Sequence, residues 1–163
     1  METNALGSRA ALLALLLGIG AVAYPAATQS QVTPDAAVRD AQRAMESAAA
    51  GEVVMEISSH TGVALFVSAS QNPIPIPVSG TAPAEERGRK FLDLYGAAFG
   101  ITASDQVQVQ RVQGPDEVGM DHVRFQQVHR GVPVRGGEVI VHLRGAQVTA
   151  VTAKTVSDVE QLG

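Results

Sequence analysis

The sequence predicts an α+β domain: an antiparallel β-meander of about four strands packed on one amphipathic helix, preceded by a hairpin and a peripheral Ala-rich helix. Three observations predict it. From Asp105 onward apolar and polar residues alternate with the period of a half-buried strand. Residues 84–99 instead place apolar side chains at helical spacing. Apolar residues are 45% of the chain but aromatics only 4%, so the core must be built mainly from Val, Leu, Ile and Ala.

The first segment reads as an address. Arg9 precedes an apolar or small run from Ala10 to Ala23, and Ala21-Val22-Ala23 ends it with a small-x-small pattern. A charged start, a short apolar middle and a small-residue exit are the parts of a secretory signal. The run is shorter than the ~20 residues of a membrane span, so cleavage is expected and an uncleaved anchor is the alternative. The chain is expected to be secreted, periplasmic or extracellular, with no stable membrane span after cleavage. Tyr24 to Thr33 is a polar spacer. It has the composition of a disordered segment.

Thr33-Pro34-Asp35 predicts a helix start, with Thr33 as N-cap and Pro34 in the first helical position. Ala36 to Ala50 has good propensity but a shallow apolar face, and Gly51 is a natural stop. Glu52–Ile57 and Val63–Ser68 are β-leaning runs around Ser58-Ser59-His60-Thr61-Gly62, the signal of a hairpin. The alternating prolines of Asn72–Pro77 fix φ and remove donors, so an extended stretch is expected there rather than a central strand.

The strongest helix follows. Thr81 is its expected cap, Pro83 and Glu85-Glu86 suit its first turns, and Gly100 can end it in the left-handed conformation. Ala84, Gly88, Phe91, Leu92, Tyr95, Ala98 and Phe99 form one stripe. Beyond it Val107 and Val109, Val123 and Phe125, Val139, Val141 and Leu143, then Val148 and Ala150 alternate with polar residues. The breaks fall at Gly114-Pro115, Gly131, Gly136-Gly137 and Gly145.

Several chemistries are excluded. The net charge is −4 and no Lys/Arg run occurs, so the chain lacks the basic face that binds nucleic acid. It has no cysteine, which removes thiol nucleophiles and Cys-ligated zinc. No His-Glu-x-x-His, Gly-x-Ser-x-Gly or Ser-x-x-Lys occurs. Of the four histidines, His122 and His142 alternate to one face of different strands. Two imidazoles without a clear third ligand make a poor zinc site, and a solvent-facing pair is expected. His129 is expected to face the other way, and His60 sits in a turn. Glu85-Glu86 and Asp116-Glu117 are read as a helix start and a solvated turn. No catalytic residue, metal or cofactor is expected.

The stretch His122-Val123-Arg124-Phe125-Gln126-Gln127-Val128-His129-Arg130-Gly131-Val132-Pro133-Val134-Arg135-Gly136-Gly137-Glu138-Val139-Ile140-Val141-His142-Leu143 is the most specific in the chain. It resembles the signature of the fungalysin/thermolysin propeptide domain, a "HVRFQQ" strand leading through "GVPV" into a "GGEVxVHL" strand. Phe91 to Gly96, with Phe99-Gly100-Ile101, looks like the helix preceding that signature, and Thr61 to Phe66 looks like an upstream segment of such pro-regions. The likeness covers roughly residues 52 to 155.

Physical reasons make most of this signature structural. Gly131 and Gly136-Gly137 suit tight reversals, Pro133 stiffens the connection beside Val134, and Val123, Phe125, Val139, Val141 and Leu143 supply a core face under Phe91 and Tyr95. Gln127 falls on that inner face, where its amide needs backbone partners. His122, Arg124, Gln126 and Glu138 are left as candidate contacts to a protease.

The expected organisation is a signal peptide at 1–23, spacer and Ala-rich helix at 24–51, a propeptide-like domain at 52–155 and a tail at 156–163. The resemblance implies a non-catalytic pro-region that assists folding of a thermolysin-like zinc metalloprotease and inhibits it, in cis or in trans. Against the family's pattern, the usual second pro-domain and the catalytic domain are expected to be absent, and His129 also stands where an aromatic is common. A truncated gene, a gene fragment and a free-standing inhibitor all remain open, as does a degenerate remnant or an envelope protein-binding module without a protease partner.

Overall fold

In the computed structural model, residues 35–103 and 106–156 are described. The signal segment, the spacer, Thr33, Pro34 and the tail from residue 157 lie outside them. The expected meander is present as β4 (Val107–Gln113), β5 (Asp121–His129), β6 (Val132–Arg144) and β7 (Gln147–Lys154), each antiparallel to the next.

The expected hairpin, β1 (Val54–Ile57) with β2 (Ala64–Ser68), does not stand apart. β2 pairs with β7 through Phe66↔Thr152, Val67↔Val151 and Ser68↔Ala150. The two-residue β3 (Ile74–Pro75) pairs with β7 farther along, and Ile76 N donates to Ala146 O at 3.0 Å. The result is one seven-stranded antiparallel sheet in the order β1-β2-β7-β6-β5-β4, with β3 on the side of β7. Val148 and Val151 on β7 are fully buried, so leaving this edge open would expose unpaired backbone beside apolar surface. The prolines keep β3 short and marginal, as their missing donors require.

The apolar stripe forms α2 (Ala84–Tyr95), continued by a 3₁₀ turn at Gly96–Phe99 that Gly100 closes at φ 75°. Its Phe91 and Phe99 join Val123, Phe125, Val139, Val141, Leu143 and Val151 in one core. Burying side chains of this size stabilises the fold by about 1.5–3 kcal/mol each. Gly88 permits the close approach: a Cβ there would stand 3.0 Å from the Phe125 ring. The cap differs from expectation. Pro83 occupies the N-cap position without a side-chain bond, while Thr81 Oγ1 lies 2.8 Å from Ser79 Oγ in the preceding turn. Glu85 and Glu86 do occupy the first turn, where their charge suits the helix dipole.

The Ala-rich helix, α1 (Ala36–Ala48), is capped by Asp35, whose Oδ1 accepts from Ala37 N at 3.1 Å, rather than by Thr33. Pro34 therefore precedes the cap. The helix also stops before Gly51, with Ala49 already extended. Most of its side chains are exposed, in keeping with a peripheral place, but Met45 is fully buried and belongs to the main core.

The strand connection corrects the glycine reading. β5 turns into β6 at Arg130 and Gly131, whose φ values of 50° and 78° suit a two-residue hairpin with both central residues left-handed. Gly136-Gly137 is no reversal, and Pro133 is no connector. Both lie within β6, where Pro133 pairs with Val128 and Glu138 pairs with Gln126, so residues 134–137 bulge opposite Gln127. Gly136, at φ 77°, makes that bulge feasible.

Candidate functional site

Alternation along β5 and β6 sends Val123, Phe125, Val139, Val141 and Leu143 inward. The opposite positions pair across the strands as Gln126↔Glu138, Arg124↔Ile140 and His122↔His142. All four candidate contact residues therefore share the face turned away from the core. Register extends this face to Arg111 beside Arg124 on β4 and Thr152 beside Ile140 on β7, with Phe66 beyond it. Phe66 is 37% exposed, so the face carries apolar as well as charged groups.

These residues differ in what their side chains are free to do. The Arg124 guanidinium pairs with the Glu138 carboxylate, both more than a third exposed, leaving the charges accessible. Gln126 is committed locally: its Nε2 donates to Val134 O and Gly137 O at 2.7 Å each, bracing the bulge. Gln127, almost fully buried as expected, finds its backbone partner at Val156, donating Nε2 to the carbonyl and accepting from N–H at Oε1, both at 2.9 Å. The amide takes the place of a strand neighbour for the chain leaving β7. Gly137 leaves room for it, because a Cβ there would lie 2.7 Å from Oε1.

His122 and His142 are not an independent solvent-facing pair. Their Nδ1 atoms lie 2.7 Å apart, with the rings edge to face. The other nitrogen of His122, Nε2, lies 3.0 Å from Asp116 Oδ2. Asp116 is fixed in turn: Oδ1 accepts from Met120 N at 2.8 Å and Val118 N at 3.0 Å. The Met120 bond foremost, with help from His122 and Val118, holds the Asp116 carboxyl below the usual aspartate range. A carboxylate on Nε2 makes that nitrogen the donor, so Nδ1 of His122 accepts from Nδ1–H of His142. Burial, then the charge of His122, holds His142 below the ordinary imidazole value.

The sequence offered no sign that Asp116 belongs with the two histidines. It stands in a turn that merely looks solvated, and only folding brings it to His122. A second cluster also escaped notice. Arg87, 5% exposed, donates to Asp121 Oδ2 at 2.5 Å, Gly145 O at 2.7 Å and Ala82 O at 2.9 Å. Its signal was its spacing, four residues before Phe91 on the apolar stripe, where a charge needs buried partners. His129 is half-buried, and its Nε2 has no hydrogen-bond partner among the described residues. His60 stands in the hairpin turn, its N–H directed to Ser58 Oγ.

No group of three or more His, Cys, Asp or Glu side chains able to hold a metal ion occurs among the described residues. Among the same residues no helix is long and apolar enough to cross a membrane. Residues 105–154 match the family model for the Fungalysin/Thermolysin Propeptide Motif. The match runs through β4, β5, β6 and β7 and is narrower than the resemblance over 52–155, leaving both helices and the β1–β2 hairpin outside it. That motif is a non-catalytic part of fungalysin- and thermolysin-like proteases. No solved structure matches the chain.

Proposed function

We propose that this chain, whose residues 105–154 carry the propeptide motif, is a secreted module that binds a thermolysin-like zinc metalloprotease domain, assists its folding and inhibits it. The observation that carries this reading is the placement of the motif. It coincides with four consecutive strands whose inner face, apart from the far end of β4, is consumed by the core, which leaves the outer face to meet another protein. The contacts fall to that face: Arg124 and Glu138 as the accessible charges, His122 beside them, and Gln126 through the β6 bulge that it braces. Phe66 and Ile140 supply apolar surface next to the charges, with Thr152 between them, a mixture suited to a protein partner.

Such a module works by surface complementarity rather than by chemistry of its own. An extended face held rigid by a buried sheet can template a partner during folding, and the same contacts block the partner once it is folded. The signal-like start and the exported setting of proteases with this motif support the secretion in this reading.

The test is to add the purified chain to several thermolysin-like proteases, during refolding and in activity assays. Binding with slowed proteolysis or improved refolding is the expected result. Absence of binding, inhibition and refolding assistance across the set would overturn it.

A further inference from the structure

We propose that His122 and His142 form an acid-opened latch on the exposed face of the sheet, one that holds a single proton between the strands and separates when a second arrives. The geometry carries the argument. At 2.7 Å, the line between the two Nδ1 atoms has room for one hydrogen. In the neutral pair His142 supplies it and His122 accepts, because Asp116 keeps the His122 proton on Nε2. When one proton is added, His122 carries hydrogens on both nitrogens and now donates, while His142 retreats to its Nε2–H tautomer. The bond reverses direction and survives. A second proton would put a hydrogen on each facing Nδ1 and a positive charge on each ring, so the contact must break.

The surroundings decide which ring leaves. His122 is held by ionised Asp116, an attraction that its own charge strengthens. His142 has no such partner: its neighbours by register are His122 on β5 and Ala150 on β7. By chain position and register, the other charged groups around the pair are Glu117 next to Asp116, Asp121 next to His122 but committed to Arg87, Arg144 two residues along β6, and Arg124 on β5, which is paired with Glu138 and flanked by Arg111 on β4. None supplies a carboxylate to His142. That ring is therefore the moving part, swinging into solvent and turning the face more positive as acidity rises. The lowered affinity of His142 for a proton agrees in sign. The unfolded chain binds a proton at this position near the ordinary value of 6.5, before the folded chain does, so stability falls as pH drops through that window.

The latch belongs to the chain alone. Any effect on a protease rests on the reading above, so the two are tested separately. Imidazole nitrogen NMR of the full chain, titrated from about pH 8 to about pH 4, reads the latch directly. The expected result at neutral pH is Nε2–H on His122 and Nδ1–H on His142, followed by coupled titration in two steps. His142→Gln should collapse this to a single step and flatten the loss of urea resistance between about pH 7 and about pH 5. Asp116→Asn should scramble the His122 tautomer while leaving both rings in place. Independent single-step titration of the two rings in the unaltered chain, or an acid limb unchanged in a folded His142→Gln, would overturn the proposal. The unaltered chain decides it even if a variant does not fold. Protease binding that is insensitive to pH would count only against coupling to the partner.

Discussion

Arg87 donates from Nη2 to Asp121 Oδ2 at 2.5 Å, tying the first turns of α2 to the first residue of β5. The same guanidinium holds Gly145 O, in the turn between β6 and β7, so one side chain fastens the helix to two points of the sheet.

Removing one partner of this pair should cost more than the pair is worth. Arg87→Met leaves a carboxylate only 18% exposed without its cation and frees two carbonyls. Urea unfolding should show a loss of about 3 kcal/mol. Asp121→Asn in the same background should recover part of it. A loss below about 1 kcal/mol would show that the clamp is mostly solvated.

Gly137 and Gln127 should behave as a unit. A Cβ at residue 137 would lie 2.7 Å from Gln127 Oε1 and 2.9 Å from its Cβ, so Gly137→Ala should destabilise by about 1–3 kcal/mol. Gln127→Ala strands the N–H and C=O of Val156, at a similar cost of about 1–3 kcal/mol. The double variant should lose less than the sum, since truncation removes the Oε1 contact, although the 2.9 Å contact with the residue 127 Cβ stays.

Asp116 should organise its turn. Its carboxylate accepts from Met120 N and Val118 N, so Asp116→Ala should speed amide exchange at both residues while the β5–β6 core stays protected. The acid dependence has a definite sign. A carboxyl held below 3.8 contributes stability above that pH and loses it as the pH falls further, so the variant should lack this part of the acid limb.

Arg124 and Glu138 should matter for partners rather than for folding. Each side chain of the pair is more than a third exposed, and screening limits its contribution to about 1 kcal/mol or less. Glu138→Arg should therefore leave thermal unfolding nearly unchanged while weakening inhibition of a thermolysin-like protease by about tenfold. Equal inhibition by the variant would move the docking surface off this face.

Much of the fold was legible because the signals were local. Period-two valines marked the four meander strands, the Phe91-Leu92-Tyr95 stripe marked α2, and Gly100 marked the end of the 3₁₀ turn that continues it. Gln127 could be placed in the interior by alternation alone. The errors came where one residue type serves several geometries. Gly136-Gly137 suits a reversal or a bulge equally well, and the choice fell to the bulge because Arg130 and Gly131 had already turned the chain. Thr33 and Thr81 looked like caps, but Asp35 and Pro83 stand at the observed helix starts.

By itself, then, the amino-acid order determined the inward face of β5 and β6, the turn at Gly131, and the likeness to a propeptide motif, whereas on β7 the register shift beside Leu143 puts Val151 rather than Ala150 in the core. Tertiary structure alone decided that β2 joins β7, that Val156 answers Gln127, and that Asp116 reaches His122 while His142 meets it from the next strand. The physical reason is range. Alternation and turn chemistry act over a few residues, whereas register and proton sharing depend on segments far apart in the chain meeting within hydrogen-bond distance.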